Sequence, residues 1–222
     1  WGYAVPKPGT PAREVVLKSC IPDLAATPPV ASTIVPYMGI VQDRLSLEVL
    51  RGCARGCRFC QAGMTYRPVR ERPADQVVAA GEEGLLCSGH DEISLTSLST
   101  TDHSQCAAIL NRMHADLAER GIRVSIPSQR LDSFGVEMAM AVGGGKKGGL
   151  TFAPEAGSQR LRDVINKNVT EEDLERAARN AFENGWRRCK LYFMMGLPTE
   201  TDEDIVGIVR AAERVLEIGR EV

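Results

Sequence analysis

The stretch Gly52-Cys53-Ala54-Arg55-Gly56-Cys57-Arg58-Phe59-Cys60-Gln61 places three cysteines within eight residues, directly after a strand-like run. Thiolates are soft ligands that suit iron-sulfur clusters, zinc or Cu(I), and a closed structural zinc site normally takes four protein ligands. A [4Fe-4S] cluster held by only three cysteines leaves one iron without a protein ligand. The missing fourth ligand therefore favours a cluster whose open iron a small molecule can chelate.

The alternative is a zinc site that a distant residue completes. The nearest later candidates are Cys87 and His90, about thirty residues further on, and they form no second cysteine pair. The spacing favours the cluster, and a structural zinc site stays open as the alternative.

Composition bounds the class of protein. The 222 residues are 43% hydrophobic and 25% charged, which predicts one sizeable core in an ordinary α/β domain. The net charge of -2 gives no basic field that would indicate a nucleic-acid partner. No apolar run reaches membrane-spanning length and no signal peptide is recognisable, so we expect a cytoplasmic protein with no membrane partner.

Seven cysteines without a secretory signal indicate reduced thiols. The four outside the motif are scattered singly and are predicted to be small buried hydrophobes rather than ligands; they are Cys20, Cys87, Cys106 and Cys189.

The chain divides at about residue 43. Residues 1–43 hold seven of the twelve prolines and show no sustained periodicity, which predicts a Pro-rich lead-in or linker. Residues 44–222 alternate strand and helix patterns and form the core domain, which we expect to be incomplete at its C-terminal end. The predicted strands are 44–50, 92–99, 123–127, 149–153 and 189–195. The predicted helices are 73–87, 104–119, 133–142, 159–165, one capped by Thr170, and one capped by Thr201 or Asp202.

Strands that alternate with amphipathic helices predict a parallel sheet whose active groups gather at the C-terminal strand ends. The groups at those ends are the cysteine loop, Ser97 and Ser99, Ser128 to Arg130, Glu155, and Gly196. The run Gly143–Gly149 superficially suggests a phosphate loop, but no Ser or Thr follows its Lys and it precedes a strand, so it is predicted to be a turn.

The motif Cys-x3-Cys-x2-Cys with Phe59 before its last cysteine resembles the signature of the radical S-adenosylmethionine enzymes. The resemblance implies that Cys53, Cys57 and Cys60 hold a [4Fe-4S] cluster whose open iron takes the amino and carboxylate groups of S-adenosylmethionine. It implies a partial (β/α) TIM-type barrel, with about five parallel strand-helix units here out of six. It also implies reductive cleavage of S-adenosylmethionine to a deoxyadenosyl radical, and a reductant such as flavodoxin or ferredoxin as partner.

The same resemblance assigns roles to residues after the other strands. Phe59 approaches the adenine, Ser97 and Ser99 take the strand-two role toward the methionine amino group, and Met195, Gly196 and Leu197 take the strand-five role beside the adenine. Ser128, after strand three, joins the candidate cofactor-binding residues. The segment from Ala153 to Lys167 resembles that of the methylthiotransferase and coproporphyrinogen dehydrogenase branches, where two residues twelve apart contact ribose and carboxylate. Glu155 and Lys167 have that separation.

Longer strings, including Arg51–Met64 and Lys190–Glu200, resemble an uncharacterised bacterial family of cobalamin-binding-type radical S-adenosylmethionine proteins. No histidine stands in a cobalt-binding motif, so cobalamin is expected only through a domain outside this chain. One rival function is an iron-sulfur electron-transfer or cluster-binding module without radical chemistry. RNA methylthiotransferase activity would need a second cluster, for which only Cys20 precedes the motif. The substrate and any catalytic acid or base cannot be assigned from the sequence.

Overall fold

The structure is a computed structural model that describes residues 5–11, 13, 15, 17–117, 119–127, 130–133, 135 and 150–222. Its strands are β1 (Leu45–Glu48), β2 (Leu50–Arg51), β3 (Arg70–Glu71), β4 (Glu92–Thr96), β5 (Arg123–Ser125), β6 (Leu150–Glu155) and β7 (Cys189–Phe193). Its helices are α1 (Gln61–Thr65), α2 (Ala74–Ser88), α3 (Cys106–Leu117), α4 (Gln159–Val164), α5 (Glu171–Glu183) and α6 (Asp202–Glu221). A 3-10 turn spans Thr100–Asp102.

Five of these strands pair in parallel, in two hydrogen-bonded groups within the described residues. One group has the order β1-β4-β5, and the other pairs β6 with β7. Within each group, helices connect the successive parallel strands, as such crossovers usually do. The predicted α/β class with parallel strand-helix units is confirmed, and the described strands form no closed barrel.

The core lies between the sheet and the helices that cross over it. Leu45 and Leu47 of β1 stand beside Ile93 and Leu95 of β4, and all four side chains are almost completely buried. Each such side chain contributes about 1.5–3 kcal/mol by leaving water. Ser46, between the two leucines, is exposed, so the period-2 pattern predicted for this strand is observed.

The helix boundaries follow local signals in the sequence. Pro73 precedes the first residue of α2, and Gly89 ends that helix in the left-handed conformation. A capping box of Thr170 and Asp173 begins α5, and one of Thr201 and Asp204 begins α6. These four helix ends were predicted within one or two residues.

The structure contains three short elements that were not predicted, namely β2, β3 and α1. The first predicted strand is broken at Val49 into β1 and β2, and the predicted loop 67–72 contains β3, which pairs antiparallel with β2. Helix α1, directly after the cysteines, was not predicted. All three have five residues or fewer, too few to show a period. Strand β6 also runs two residues further than predicted, to Glu155.

Other predictions fall on residues that the structure describes only in part. Most of the helix predicted over 133–142 and the glycine run 143–149 lie outside the described residues.

Part of the lead-in packs against the core. Leu24 is fully buried, and Arg72 Nη1 donates a hydrogen bond of 3.0 Å to its carbonyl oxygen. Gln76 Nε2 donates to the carbonyl oxygen of Ala25 at 3.0 Å, and Arg70 Nη1 donates to that of Ile21 at 2.9 Å. Side chains of β3, of α2 and of Arg72 between them therefore hold residues 21–25 by their backbone.

The scattered cysteines divide into two kinds. Cys106 is buried and Cys189 is half-buried, and burial raises the pKa of each thiol to about 11. These two thiols are protonated near neutral pH, as expected of small hydrophobes. Cys20 and Cys87 are exposed, so the prediction that they are buried was wrong. Each lies on a surface segment, Cys20 in the lead-in and Cys87 in the last turn of α2.

Candidate active site

The cysteine loop leaves the C-terminal end of β2 through a turn that only glycine fits. Gly52 has φ +91°, and a Cβ atom on it would lie 2.6 Å from the carbonyl oxygens of Tyr66 and Pro68. Both the conformation and the close backbone approach exclude a side chain. The loop therefore turns sharply at the C-terminal end of the strand, where the sequence pattern predicted it.

Three cysteines on this loop present free, half-buried thiols: Cys53, Cys57 and Cys60. Cys60 also begins α1, and its Sγ accepts a hydrogen bond of 3.3 Å from the backbone N–H of Gly63.

The end of α4 and the turn that follows it hold the cysteine loop by hydrogen bonds. The backbone N–H of Arg58 donates to the carbonyl oxygen of Ile165 at 2.9 Å, and Asn166 Nδ2 donates to the carbonyl oxygen of Gly56 at 2.9 Å. The Arg58 side chain also donates to the carbonyl oxygen of Val164. Residues 55–58 thus rest on residues 164–166, far away in sequence.

Three predicted cofactor-binding residues meet beside this support. Lys167 Nζ lies 3.1 Å from Glu155 Oε1 and 5.9 Å from the centroid of the Phe59 ring. The side chains of Lys167 and Glu155 are 11% and 17% exposed, so water screens their pairing only partly. Phe59 remains 38% exposed. A cation, a carboxylate and an aromatic ring are therefore grouped next to the cysteine loop.

The residues after β7 lie beside Glu155 because β6 and β7 pair there. Glu155 is in register with Phe193, and the backbone N–H of Met194 donates to the carbonyl oxygen of Glu155 at 2.8 Å. Met195 is 74% exposed, and the position of a Cβ atom on Gly196, at φ +81°, has no neighbour within 4 Å. Leu197 packs against a small apolar cluster of Ala156, Leu161 and Ile165.

Ser97 and Ser99 lie after β4 and are held by one another and by the following turn. Ser97 Oγ accepts from the backbone N–H of Ser99 at 3.0 Å and lies 2.9 Å from Thr100 Oγ1. Ser99 is buried and donates its hydroxyl to Asp102 Oδ2 at 2.7 Å. Their hydroxyls are therefore engaged within the protein. Ser128, the remaining candidate, lies outside the described residues.

A charged network at the cysteine loop was missed in the sequence. Arg55, inside the motif, donates through Nε to Asp102 Oδ2 at 2.8 Å and through Nη2 to the other oxygen of that carboxylate. Its Nη1 donates to Asp132 Oδ2 at 3.0 Å. The arginine between two cysteines was the signal from which this network could have been predicted. Its acidic partners follow other strands, 47 and 77 residues further along the chain, and no sequence pattern links them to Arg55.

The network shifts the titration of its members. Hydrogen bonding to Asp102 raises the pKa of Arg55 above its ordinary value, and burial opposes this only partly. Burial alone would raise the pKa of Asp102, but the hydrogen bonds from Arg55 and Ser99 outweigh it and lower that pKa. Both groups are therefore charged across the physiological range.

The candidate ligands for a zinc site lie at the opposite edge of the sheet. His90 Nδ1 is 3.3 Å from Asp43 Oδ1, before β1, and Cys87 lies at the end of α2. A strand rises about 3.3 Å per residue, so the run from Leu45 to Arg51 separates these residues from the cysteine loop by roughly 20 Å. Neither residue completes a zinc site with the motif.

Three thiols and no imidazole or carboxylate make up the donor set of the motif, and soft thiolate ligands suit an iron-sulfur cluster. In the part of the chain that the structure describes, no group of three or more His, Cys, Asp and Glu side chains, the motif cysteines included, is arranged to hold one metal ion. Three thiols from one loop are the ligands that a [4Fe-4S] cluster with one open iron takes. Phe59, Glu155 and Lys167 add polar and aromatic groups beside those thiols.

The fold and the site together define an α/β enzyme core with a three-cysteine loop at the C-terminal strand edge. Residues 47–212 match the family model described as the Radical SAM superfamily. The chain therefore belongs to the radical SAM superfamily. Membership supports an enzyme and implies a [4Fe-4S] cluster and S-adenosylmethionine as cofactors, as predicted.

Among curated proteins, the chain is 37% identical over 176 residues to the uncharacterized protein MJ0966 of Methanocaldococcus jannaschii, covering 79% of this chain and 38% of that protein. Among solved structures, it resembles the radical S-adenosylmethionine methyltransferase TsrM of Kitasatospora setae with cobalamin and a [4Fe-4S] cluster bound. The TM-score is 0.64 at 21% identity, over 78% of this chain and 32% of TsrM.

It also resembles the cobalamin-dependent S-adenosylmethionine radical enzyme OxsB, with a TM-score of 0.61 at 19% identity, over 75% of this chain and 26% of OxsB. These two structures share the fold of this chain, in line with the predicted resemblance to cobalamin-binding-type proteins. The chain spans roughly a quarter to two fifths of the length of these three proteins.

Proposed function

We propose that residues 44–222 form a radical S-adenosylmethionine core in which Cys53, Cys57 and Cys60 hold a [4Fe-4S] cluster. The core cleaves S-adenosylmethionine reductively to a deoxyadenosyl radical, which modifies a substrate. The observation that carries the proposal is the grouping of three free thiols on one loop with Phe59, Lys167 and Glu155 beside them. A cluster loop that only relays electrons needs no such polar and aromatic groups at its side.

Bound at these thiols, the cluster supplies one-electron reduction of the sulfonium, which is chemistry that belongs to the cofactor. The protein binds and orients the cofactor and keeps water out. Phe59 offers an exposed ring face against which the adenine packs. Glu155 accepts hydrogen bonds from the ribose hydroxyls, since a carboxylate is an acceptor only.

Lys167 has two tasks in this proposal. One of its N–H donors holds the Glu155 carboxylate, which fixes the direction in which the remaining acceptor oxygen points. The other donors are free to meet the carboxylate of the methionine moiety. Gly196 leaves open space in which the backbone after β7 approaches the adenine, and Met195 and Leu197 flank it.

The residues after β4 act through the backbone. The hydroxyls of Ser97 and Ser99 make hydrogen bonds within the turn after β4, so the main chain of residues 97–99 contacts the methionine amino group. Ser128, after β5, is proposed from its place in the sequence alone.

The partners follow from the reaction. A one-electron reductant such as flavodoxin or ferredoxin supplies the electron, and cobalamin takes part only through a domain outside this chain. No helix among the described residues is long and apolar enough to cross a membrane.

The test is an assay for 5'-deoxyadenosine. The chain is reconstituted anaerobically with iron and sulfide, reduced with dithionite, given S-adenosylmethionine, and analysed for product. We expect deoxyadenosine in the wild-type reaction and none with Cys57→Ala. A cluster that is reduced, as seen by electron paramagnetic resonance, but yields no deoxyadenosine would indicate an electron-transfer module instead.

A further inference from the structure

Arg55 sits where the cysteine loop meets the loops of two other strands. Its three donor atoms Nε, Nη1 and Nη2 all contact carboxylates, two of them on Asp102 and one on Asp132. Asp102 ends the 3-10 turn after β4, and Asp132 lies in the turn after β5. One guanidinium between Cys53 and Cys57 thus ties the cysteine loop to the turns after β4 and β5, two neighbouring strands of the parallel sheet.

Both carboxylates are themselves held in place. Asp102 accepts from the Ser99 hydroxyl at 2.7 Å, and Asp132 accepts from Arg130 Nε at 2.9 Å. Arg130 Nη2 donates in turn to the carbonyl oxygen of Lys167 at 3.3 Å. The network therefore begins at the turn after β4 and passes through the cysteine loop. It ends on the backbone of Lys167, a proposed cofactor-binding residue.

The network is electrically balanced and partly shielded from water. Arg55 and Arg130 carry two positive charges against the negative charges of Asp102 and Asp132. The four side chains are between 10% and 32% exposed. A bidentate arginine-carboxylate pair in such surroundings has both strength and directional specificity, which a lysine at the same position would lack.

We infer that Arg55 is a positioning residue that holds the cysteine loop in register for cluster binding. The inference rests on the proposed function, since it concerns the same cluster site. Groups that orient metal ligands without touching the metal commonly change metal affinity by 10- to 100-fold when they are removed. Arg55 acts at the loop backbone between two ligands, so its loss releases Cys53 and Cys57 together.

The experiment compares Arg55→Ala, Asp102→Ala, the double variant, and Arg55→Lys. Arg44→Gln is the matched control, because Arg44 forms a similar half-buried pair with Glu92 at the opposite edge of the sheet. Two readouts are taken: hydrogen-deuterium exchange of residues 52–60 in the metal-free protein, and the rate of iron loss to a chelator from the reconstituted protein.

We expect Arg55→Ala to speed iron loss by about 10-fold or more and to raise exchange over residues 52–60 with little change elsewhere. Asp102→Ala should act in the same direction, and the double variant should be no worse than Arg55→Ala, because both changes break one interaction. Arg55→Lys keeps the positive charge but cannot make the two-nitrogen contact with Asp102. It should therefore recover less than half of the exchange protection that Arg55→Ala loses. Arg44→Gln should leave both readouts unchanged.

Wild-type exchange and iron retention in Arg55→Ala would overturn the inference, as would effects of the two single changes that simply add. If Arg55→Ala does not fold, Arg55→Lys decides on the same two readouts, and wild-type behaviour there overturns the inference. If the wild-type chain takes up no cluster, the proposed function fails, and the exchange of the metal-free loop still decides the role of Arg55.

Discussion

At the scale of the residue, Glu155 combines an uncommon backbone conformation with a polar side chain beside the cysteine loop. It is a non-glycine residue at φ +71°, directly after a register shift between Phe152 and Glu155 in the pairing of β6 with β7. Such a conformation costs of order 1–3 kcal/mol and is found mainly where surrounding structure and function require it. At this irregularity of the strand, Glu155 Oε1 lies 3.1 Å from Lys167 Nζ.

Replacing Glu155 by Gln tests its role in cofactor binding. The change removes the charge that faces Lys167 and weakens acceptance of ribose hydrogen bonds. Hydrogen bonds to charged groups contribute about 1.5–3 kcal/mol. We therefore expect S-adenosylmethionine to bind the reconstituted variant about 10- to 100-fold more weakly, measured by equilibrium binding.

The iron content of Glu155→Gln should equal that of the wild type, because the cysteines are untouched. Glu92→Gln is its matched control, since Glu92 also forms a partly buried ion pair but at the other edge of the sheet. Unchanged affinity in Glu155→Gln would remove Glu155 from the site and leave the backbone after β4 and β7 as the main contacts.

Single residues were predictable where a motif or a separation in sequence marked them. Glu155 and Lys167 were named from a family resemblance in which two residues twelve apart contact the cofactor. The structure pairs their side chains at 3.1 Å, and their contact with a cofactor stays a prediction. Arg55 was in view within the motif, yet its partners Asp102 and Asp132 come from turns that only the folded sheet brings together. The sequence pattern holds no information on which acidic residue of a turn will reach a given arginine.

At the scale of the element, helix α6 is fixed to the turn after β6 by backbone contact. A Cβ atom on Gly157 would lie 2.3 Å from the carbonyl oxygen of Asp204 and 2.4 Å from the backbone nitrogen of Ile208. The buried Asp204 carboxylate accepts hydrogen bonds from Ser158 and Thr201, and their charge-stabilising effect lowers the pKa of Asp204. The turn after β6 and helix α6 are therefore in direct backbone contact, with no side chain between them.

Gly157→Ala should destabilise the chain, because its methyl group forces the backbones of the turn and of α6 apart. Overpacking of this kind typically costs about 1–3 kcal/mol, and chemical denaturation of the metal-free protein measures it. The control is Gly39→Ala, where a Cβ atom would meet nothing within 4 Å. Equal stability of the wild-type and Gly157→Ala proteins would show that the turn and the helix are not held in this close contact.

Elements were predictable in proportion to their length. The helices α2, α3, α5 and α6 carry enough residues for a period or a cap to identify them. The five parallel strands are shorter, but they overlap predicted runs of five to eight residues. The pairing of β2 with β3 involves two residues on each strand and leaves no such pattern. It was found only in the structure, where it closes the base of the cysteine loop around Gly52.

At the scale of the whole molecule, the described strands leave the sheet open. The first three parallel strands carry the cysteine loop, Ser97, Ser99 and the Arg55 network, and the last two carry Glu155 and Gly196. The contacts of Arg58 with Ile165 and of Asn166 with Gly56 join these two groups at the site. The proposed cofactor site therefore lies between these two groups of strands, and it requires both groups to be folded.

The central claim is that Cys53, Cys57 and Cys60, and no other cysteines, hold a [4Fe-4S] cluster. The measurement is the iron, sulfide and zinc content of the anaerobically reconstituted chain and of cysteine-to-alanine variants. Cys20 and Cys87 are the matched controls, since both are exposed thiols outside the motif. We predict about four irons per chain, lost on changing any motif cysteine and kept on changing Cys20 or Cys87. One tightly bound zinc ion with tetrahedral sulfur ligation, or iron that survives loss of Cys57, would contradict the claim.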